Sequence, residues 1–75
     1  MDETKRIKFE IKQNIACLSA ESRGWTKEIN LVSWNGNEPK YDMRSWSADH
    51  SQMGKGITLT KEELTALRDV LNELL

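Results

Sequence analysis

Aromatic and cationic residues share one face of a predicted β-strand in the middle of the chain. Alternation along residues 40–46 places four side chains on that face: Lys40, Asp42, Arg44 and Trp46. By the same alternation, Trp34 of the preceding strand belongs with them. Aromatic rings stack on unpaired bases and cations contact phosphates, whereas a duplex hides its base faces. The pattern is therefore typical of a surface that binds single-stranded nucleic acid.

Each of these residues also has an ordinary structural interpretation. A tryptophan in a chain of 75 residues can be part of the core, and Lys or Arg on a sheet can form a solvated face. Arg44 can pair with Asp42 or with Glu28. The pattern alone leaves the binding surface and the structural role both open.

Catalytic and metal chemistry find little support in the sequence. His50 lies in a polar loop without an evident nucleophile or metal partner, and we expect it to be solvated. Cys17 alternates with apolar residues and is expected in the core. One Cys and one His cannot complete a four-ligand zinc site, and Asp42 and Asp49 have no further ligand or base beside them. We therefore expect no enzyme, no metal, no cofactor and no small-molecule substrate.

Period-two alternation predicts the strands that position these residues. In the first strand the apolar face would be formed by Phe9, Ile11, Gln13, Ile15 and Cys17. Residues 20–24 form a turn, and residues 25–35, 40–46 and 55–59 are predicted as the second, third and fourth strands. The sequence Asn35-Gly36-Asn37 predicts a hairpin, and residues 47–54 a polar loop.

The faces of the second strand follow from the same alternation. Ile29 and Leu31 are expected on the buried face, with Glu28 on the opposite one. A β-bulge would break the parity, so the faces of Trp25 and Lys27 stay open.

A C-terminal helix is predicted over residues 61–75. Thr60 and Glu63 have the spacing of a capping box. Five apolar residues then recur at helical spacing and predict one stripe for core or dimer packing: Leu64, Leu67, Val70, Leu71 and Leu74. The predicted fold is α+β: one domain, residues 1–75, with a curved four-stranded antiparallel sheet followed by one amphipathic helix. Residues 1–6 are expected to be disordered.

The composition of the chain bears on its cellular compartment and on its oligomeric state. The formal net charge is −1, but Lys and Arg outnumber Asp and Glu by nine to six between residues 5 and 55. A single cysteine suits a reducing compartment, and the charged start lacks the apolar region of a signal peptide. We expect a cytoplasmic protein, nucleoid-associated if bacterial, without membrane association. A chain this short buries only a modest fraction of its unfolded surface when it folds alone. We therefore expect self-association to complete its core.

Two motifs, separated by a polar loop of suitable length, resemble the positive cofactor four family of transcriptional coactivators, in particular its small bacterial branch. These motifs are Tyr41-Asp42-Met43-Arg44-Ser45-Trp46 and Lys55-Gly56-Ile57-Thr58-Leu59. The family shows an Asp-Ile-Arg motif with nearby aromatics, then a Lys-Gly-Ile strand that runs into a helix. Here Met43 replaces the isoleucine, and the Ser/Lys-rich tail of eukaryotic members is absent.

The resemblance implies a homodimer that binds single-stranded DNA in channels between curved sheets, with the helices at the dimer interface. Together with the strand pattern, it gives these expected nucleic-acid-binding residues: Trp25, Lys27, Trp34, Lys40, Arg44, Trp46 and Lys55. Trp46 lies one residue closer to the arginine than the family aromatic does. Transcription, replication and repair all expose single strands, so the process stays open. An RNA-binding module and a protein-interaction adaptor remain as alternatives.

Overall fold

The computed structural model describes residues 7–75, so the predicted disorder of residues 1–6 lies outside the described part. An antiparallel sheet with strand order β1-β2-β3-β4 is followed by one helix, which confirms the predicted α+β fold. The elements are β1 (Phe9–Ala20), a 3-10 turn (Ser22–Gly24), β2 (Thr26–Trp34), β3 (Lys40–Trp46), β4 (Met53–Leu59) and α1 (Lys61–Leu74).

The β2–β3 hairpin and the helix cap form as their sequences predict. Asn35 and Gly36 have φ angles of 53° and 76°, which residues other than Asn and Gly adopt with difficulty. Thr60 accepts a hydrogen bond from the backbone N–H of Glu63, and the Glu63 carboxylate accepts one from the backbone N–H of Thr60. Residues close together in the sequence are therefore sufficient to determine both the hairpin and the helix cap.

Strand β1 departs from the predicted alternation because it carries register shifts at three places, between Ile11 and Gln13, between Asn14 and Ala16, and between Cys17 and Ser19. At each, β1 has one residue more than β2, and the side chains that follow change faces. The predicted alternation is therefore wrong for Gln13, which pairs with Leu31 on the other face, although Cys17, opposite Glu28, returns to the face of Phe9 and Ile11. Cys17 and Ile15 are both exposed in the single chain rather than in the core.

The sheet face that was predicted to be open is the more buried one, and the face that was predicted to be buried is only partly covered. Ile29 and Leu31 are only half-buried. The opposite face contains all the buried side chains of β2 and β3 except Ser33: Glu28, Asn30, Val32, Asp42 and Trp46. The face expected to lie open is thus the interior of the single chain.

Curvature of the sheet explains this burial. Phe9 pairs with Trp34 at one end of β2, and Trp46 pairs with Thr26 at the other. Those ends would be about 26 Å apart on a flat strand, yet the Phe9 and Trp46 ring centroids are 5.1 Å apart. The sheet therefore curls around this face, which we call the concave face.

The helix covers the other, convex face only partly. None of its residues is buried, and Val70 and Leu74 are 60% and 72% exposed. An apolar groove between helix and sheet is lined by Leu18, Ile29, Met43, Leu64, Leu67 and Leu71. The apolar stripe of α1 is thus only partly used within the single chain. Within residues 7–75, no helix has the length and apolar character needed to cross a membrane.

Candidate nucleic-acid interface

A line of aromatic rings crosses the concave face. The ring centroid of Phe9 is 5.9 Å from that of Trp34 and 5.1 Å from that of Trp46. His50 stacks on Trp46 with its centroid 5.5 Å away. Trp34 is half-buried at one end of this line, whereas Trp46 is completely buried. Of these two predicted stacking residues, only Trp34 offers surface to a base; Trp46 is enclosed because the sheet curls over it.

Arg44 and Asp42 form a partly buried ion pair at neighbouring positions of the concave face. The Nε and Nη2 atoms of Arg44 donate to the two carboxylate oxygens of Asp42, each at 2.7 Å. The hydroxyl of Thr58 also donates to Asp42. The Arg44 side chain is 14% exposed and that of Asp42 is fully buried. This arrangement is the first of the two pairings that the sequence left open for Arg44.

Gly56 of β4 provides the space in which Arg44 lies. A Cβ atom at residue 56 would be 2.4 Å from the Arg44 Cβ and 2.8 Å from its Nε. The Nη1 atom of Arg44 donates to the carbonyl of Gly54 and contacts the sulfur of Met53. The two sequence motifs therefore meet as one structural unit, because the arginine of the first lies over the glycine of the second.

Glu28 is at the centre of a second buried polar cluster. Its carboxylate accepts hydrogen bonds from Asn14, Thr26 and Asn30, and lies 3.0 Å from Nε2 of His50. Burial acts to raise the pKa of Glu28, but hydrogen bonds from Thr26, His50 and Asn30, together with the charge of His50, outweigh it, so the pKa is below its ordinary value. His50 lies in the predicted loop, but its side chain is 35% exposed and contacts Glu28, so the expectation that it has no partner and is simply solvated is wrong.

The loop between β3 and β4 holds His50 in place. The hydroxyls of Ser47 and Ser51 both donate to Asp49, at 2.9 and 2.7 Å. Hydrogen bonds from the side chain and backbone of Ser51, and from Ser47, lower the pKa of Asp49 to about 2. His50 itself has a φ of 60°, so this tight turn directs the ring toward Glu28 and Trp46.

Exposed cations lie near both ends of the sheet. Lys40 and Lys8 are exposed near the β2–β3 hairpin, beside Trp34 and Phe9. At the other end, Lys27 pairs with Ser45, which places it on the convex face, and Lys55 lies in the register shift of β4 opposite that same serine. Lys27 is 3.9 Å from Glu21.

The start of the fourth strand differs slightly from the prediction, and Trp25 lies just before the second strand rather than within it. Strand β4 begins at Met53 rather than Lys55, so the polar loop is shorter than predicted. Trp25 precedes β2, caps the 3-10 turn with its backbone and is half-buried in a groove with Glu21 and Arg23. It is outside the strand alternation, which is why counting could not assign it to a face.

The structure thus divides the seven predicted binding residues into two groups. Trp46 is fully buried, and Arg44 is half-buried with its side chain only 14% exposed and paired with Asp42. The other five are exposed or half-buried: Trp25, Lys27, Trp34, Lys40 and Lys55. Sequence reasoning missed Lys8 and Phe9 as neighbours of Trp34, because three bulges hide the register of β1. Among residues 7–75, no group of three His, Cys, Asp or Glu side chains is placed to hold a metal ion.

Comparison with known proteins identifies relatives of this chain. The family model described as Transcriptional Coactivator p15 (PC4) matches residues 22–70, which include β2 to β4 and most of α1. The chain is also 50% identical over 66 residues to a protein of Treponema pallidum (strain Nichols) named "Uncharacterized protein". That alignment covers 88% of this chain and 78% of the Treponema protein.

Proposed function

This chain belongs to the PC4 family of transcriptional coactivators, and from that premise we propose that it binds single-stranded DNA, with little sequence preference, as a homodimer. The family is known for single-stranded DNA binding and coactivation. The proposed binding acts through base stacking on exposed aromatic surface and phosphate contacts from exposed lysines. It would serve transcription, replication or repair.

The observation that carries this proposal is the combination of Trp34 and Lys40 at the hairpin end of the concave face. Trp34 ends β2 and is half-buried, with its indole Nε1 enclosed, and we propose that the exposed part of this residue receives the base. Lys40 begins β3 on the same face and is exposed. A stacking surface beside a cation is what an unpaired nucleotide requires, since the base and its phosphate are contacted separately.

Further phosphate contacts are proposed for Lys55, and for Lys27 on the convex face, with stacking by Trp25 at the same end of the sheet. Lys40 and Lys55 make no ion pair with any described side chain, so their charge is available. Lys27 has only a long, exposed contact with Glu21, which costs little to break. The proposed binding therefore depends on the local positive charge of these lysines, since the net charge of the whole chain is −1.

The homodimer is supported by the apolar surface on the convex face. In the described residues, Val32 and Trp46 are the only buried hydrophobic side chains, which is a thin core for a domain of this size. Ile57, Val70 and Leu74 are all more than half exposed. A second copy packed against α1 and the convex face would remove this apolar surface from water.

Titration with matched oligonucleotides tests the binding. We expect an oligo-dT strand to quench tryptophan fluorescence and a duplex of the same length to bind much more weakly. Trp34→Ala is expected to cost roughly 1–3 kcal/mol of binding free energy, the range for one stacked base. Lys40→Gln should also reduce the slope of log K against log salt by about 0.7.

Lys12→Gln is the matched control for Lys40→Gln, because Lys12 is exposed on β1 and already paired with Glu10 at 3.0 Å. It should leave affinity and salt slope unchanged. An RNA strand of the same sequence tests the alternative partner. Equal binding of single strand and duplex, or none at low salt, would refute the proposal.

A further inference from the structure

Arg44 occupies the position of the family arginine, but its guanidinium is already engaged within the protein. Two of its nitrogens bond the Asp42 carboxylate at 2.7 Å. The third donates to the Gly54 carbonyl at 3.3 Å. With 14% of the side chain exposed, little of the planar group is left to meet a phosphate.

The charge of Arg44 is also neutralised where it lies. Asp42 is fully buried and lies against it in the two-pronged geometry that binds guanidinium most strongly. The pair presents no net charge to the surface. A phosphate contact by Arg44 would require breaking this pair and leaving the Asp42 carboxylate buried without its partner, which is strongly unfavourable.

The guanidinium lies over the indole of Trp34. The Arg44 Cζ atom is 4.8 Å from the centre of the Trp34 ring, a distance typical of cation–π stacking. Phe9 contacts the same indole in a tilted arrangement, with the centroids 5.9 Å apart. Arg44 and Phe9 together therefore limit the orientations that the Trp34 ring can adopt.

From this geometry we infer that Arg44 is a positioning residue, which acts through Trp34 and does not contact phosphate. Asp42 fixes the plane of the guanidinium, Gly56 leaves room for it, and the guanidinium holds the indole in the orientation that receives a base. This inference rests on the proposed function and assigns Arg44 a different role from the one that the family resemblance implies.

A charge-balanced double variant, Asp42→Asn with Arg44→Gln, separates the two roles. It removes the ion pair without changing the net charge. A positioning role predicts a loss of oligo-dT affinity of about fivefold or more, the lower end of the cost of one stacked base, with an unchanged salt slope. A phosphate contact predicts a slope reduced by about 0.7, as for Lys40→Gln.

The decisive comparison repeats this double change in a Trp34→Ala background. If Arg44 acts through Trp34, the double change has no further effect there. If the losses add, or if the double change leaves affinity intact in the native background, the inference is wrong. Failure of the unmodified protein to bind oligo-dT would instead refute the proposed function.

Arg44→Lys provides a second test should the double variant fail to fold. Lysine keeps the charge but lacks the planar fork and the stacking surface of arginine. A positioning role predicts weaker binding and less quenching per bound oligo-dT, with the fold intact by circular dichroism. Unchanged affinity and quenching would show that the charge alone matters and would overturn the inference.

Discussion

Phe9 and Trp46 lie at opposite ends of the sheet in the strand pairing, but their ring centroids are 5.1 Å apart. This contact closes the concave face over the buried polar side chains of β2 and β3. It requires the curvature that the bulges of β1 provide, because a flat sheet would hold the two rings far apart. The interior of this small domain is consequently formed by the face with the most polar sequence.

Trp46→Ala is expected to destabilise the fold by about 3–5 kcal/mol, because it removes the largest fully buried side chain and leaves a cavity. Urea unfolding at fixed protein concentration measures the effect. Trp25→Ala is the matched control: the same change at a half-buried ring outside the strands should cost clearly less. Equal losses would show that the Phe9–Trp46 contact does not organise the interior.

Gly56→Ala is expected to destabilise the protein by about 1–3 kcal/mol, the usual cost of overpacking. The new methyl group would be 2.4 Å from the Arg44 Cβ and 2.5 Å from the backbone carbonyl oxygen of Met43, so strands β3 and β4 have to separate at this point. Gly54→Ala is the control on the same strand, since a Cβ there has no neighbour closer than 3.8 Å. Thermal unfolding of both variants tests the difference, and similar melting temperatures would contradict it.

Glu28 makes the fold sensitive to acid. Its folded-state pKa is lowered, so the unfolded chain binds a proton more readily than the folded one. The stabilisation is complete above the ordinary value of 4.5 and is lost as the pH falls through the lower folded-state value. Urea titrations between pH 7 and pH 3 should show this loss, and Glu28→Gln should flatten the profile.

His50→Ala provides a second check on the same carboxylate. Because His50 helps to lower the pKa of Glu28, its removal should raise the midpoint of the Glu28 carboxyl resonance in an NMR pH titration. An unchanged midpoint would mean that His50 does not contact Glu28 in solution.

Asp49 is expected to titrate near pH 2, since Ser51 and Ser47 hydrogen-bond its charged form. NMR titration of its carboxyl carbon measures this directly. Ser51→Ala removes the strongest of these hydrogen bonds and should bring the midpoint closer to the ordinary value of 3.8. A midpoint near 3.8 in the unmodified protein would show that the loop is not held by Asp49.

Leu71→Lys tests the proposed dimer. Leu71 lines the apolar groove between α1 and the convex face and is 39% exposed, so a charge there would be buried unfavourably in a dimer. Sedimentation equilibrium should show dissociation toward the mass of one chain. Asp69→Asn, which makes the same change in net charge at an exposed helix position, should remain dimeric. A monomeric unmodified protein would refute the dimer.

Local sequence features predicted the elements well. The third strand has the predicted bounds, Lys40–Trp46, and α1 begins at Lys61 as its capping box indicates. The alternation of β2 and β3 also separated the two faces correctly, since Glu28, Asp42 and Arg44 share one of them. These features depend on residues close in the chain, so periodicity and turn chemistry are sufficient to identify them.

By itself, the sequence determined the order of the elements, the hairpin at Asn35-Gly36, the helix cap and the family motifs. Only the tertiary structure decided which face is interior, that Trp46 is enclosed, and that Arg44 joins Asp42 over Gly56. The reason is that one extra residue at a bulge turns every following side chain to the other face and bends the sheet. Pairing and curvature depend on contacts between distant strands, which no local pattern in the chain records.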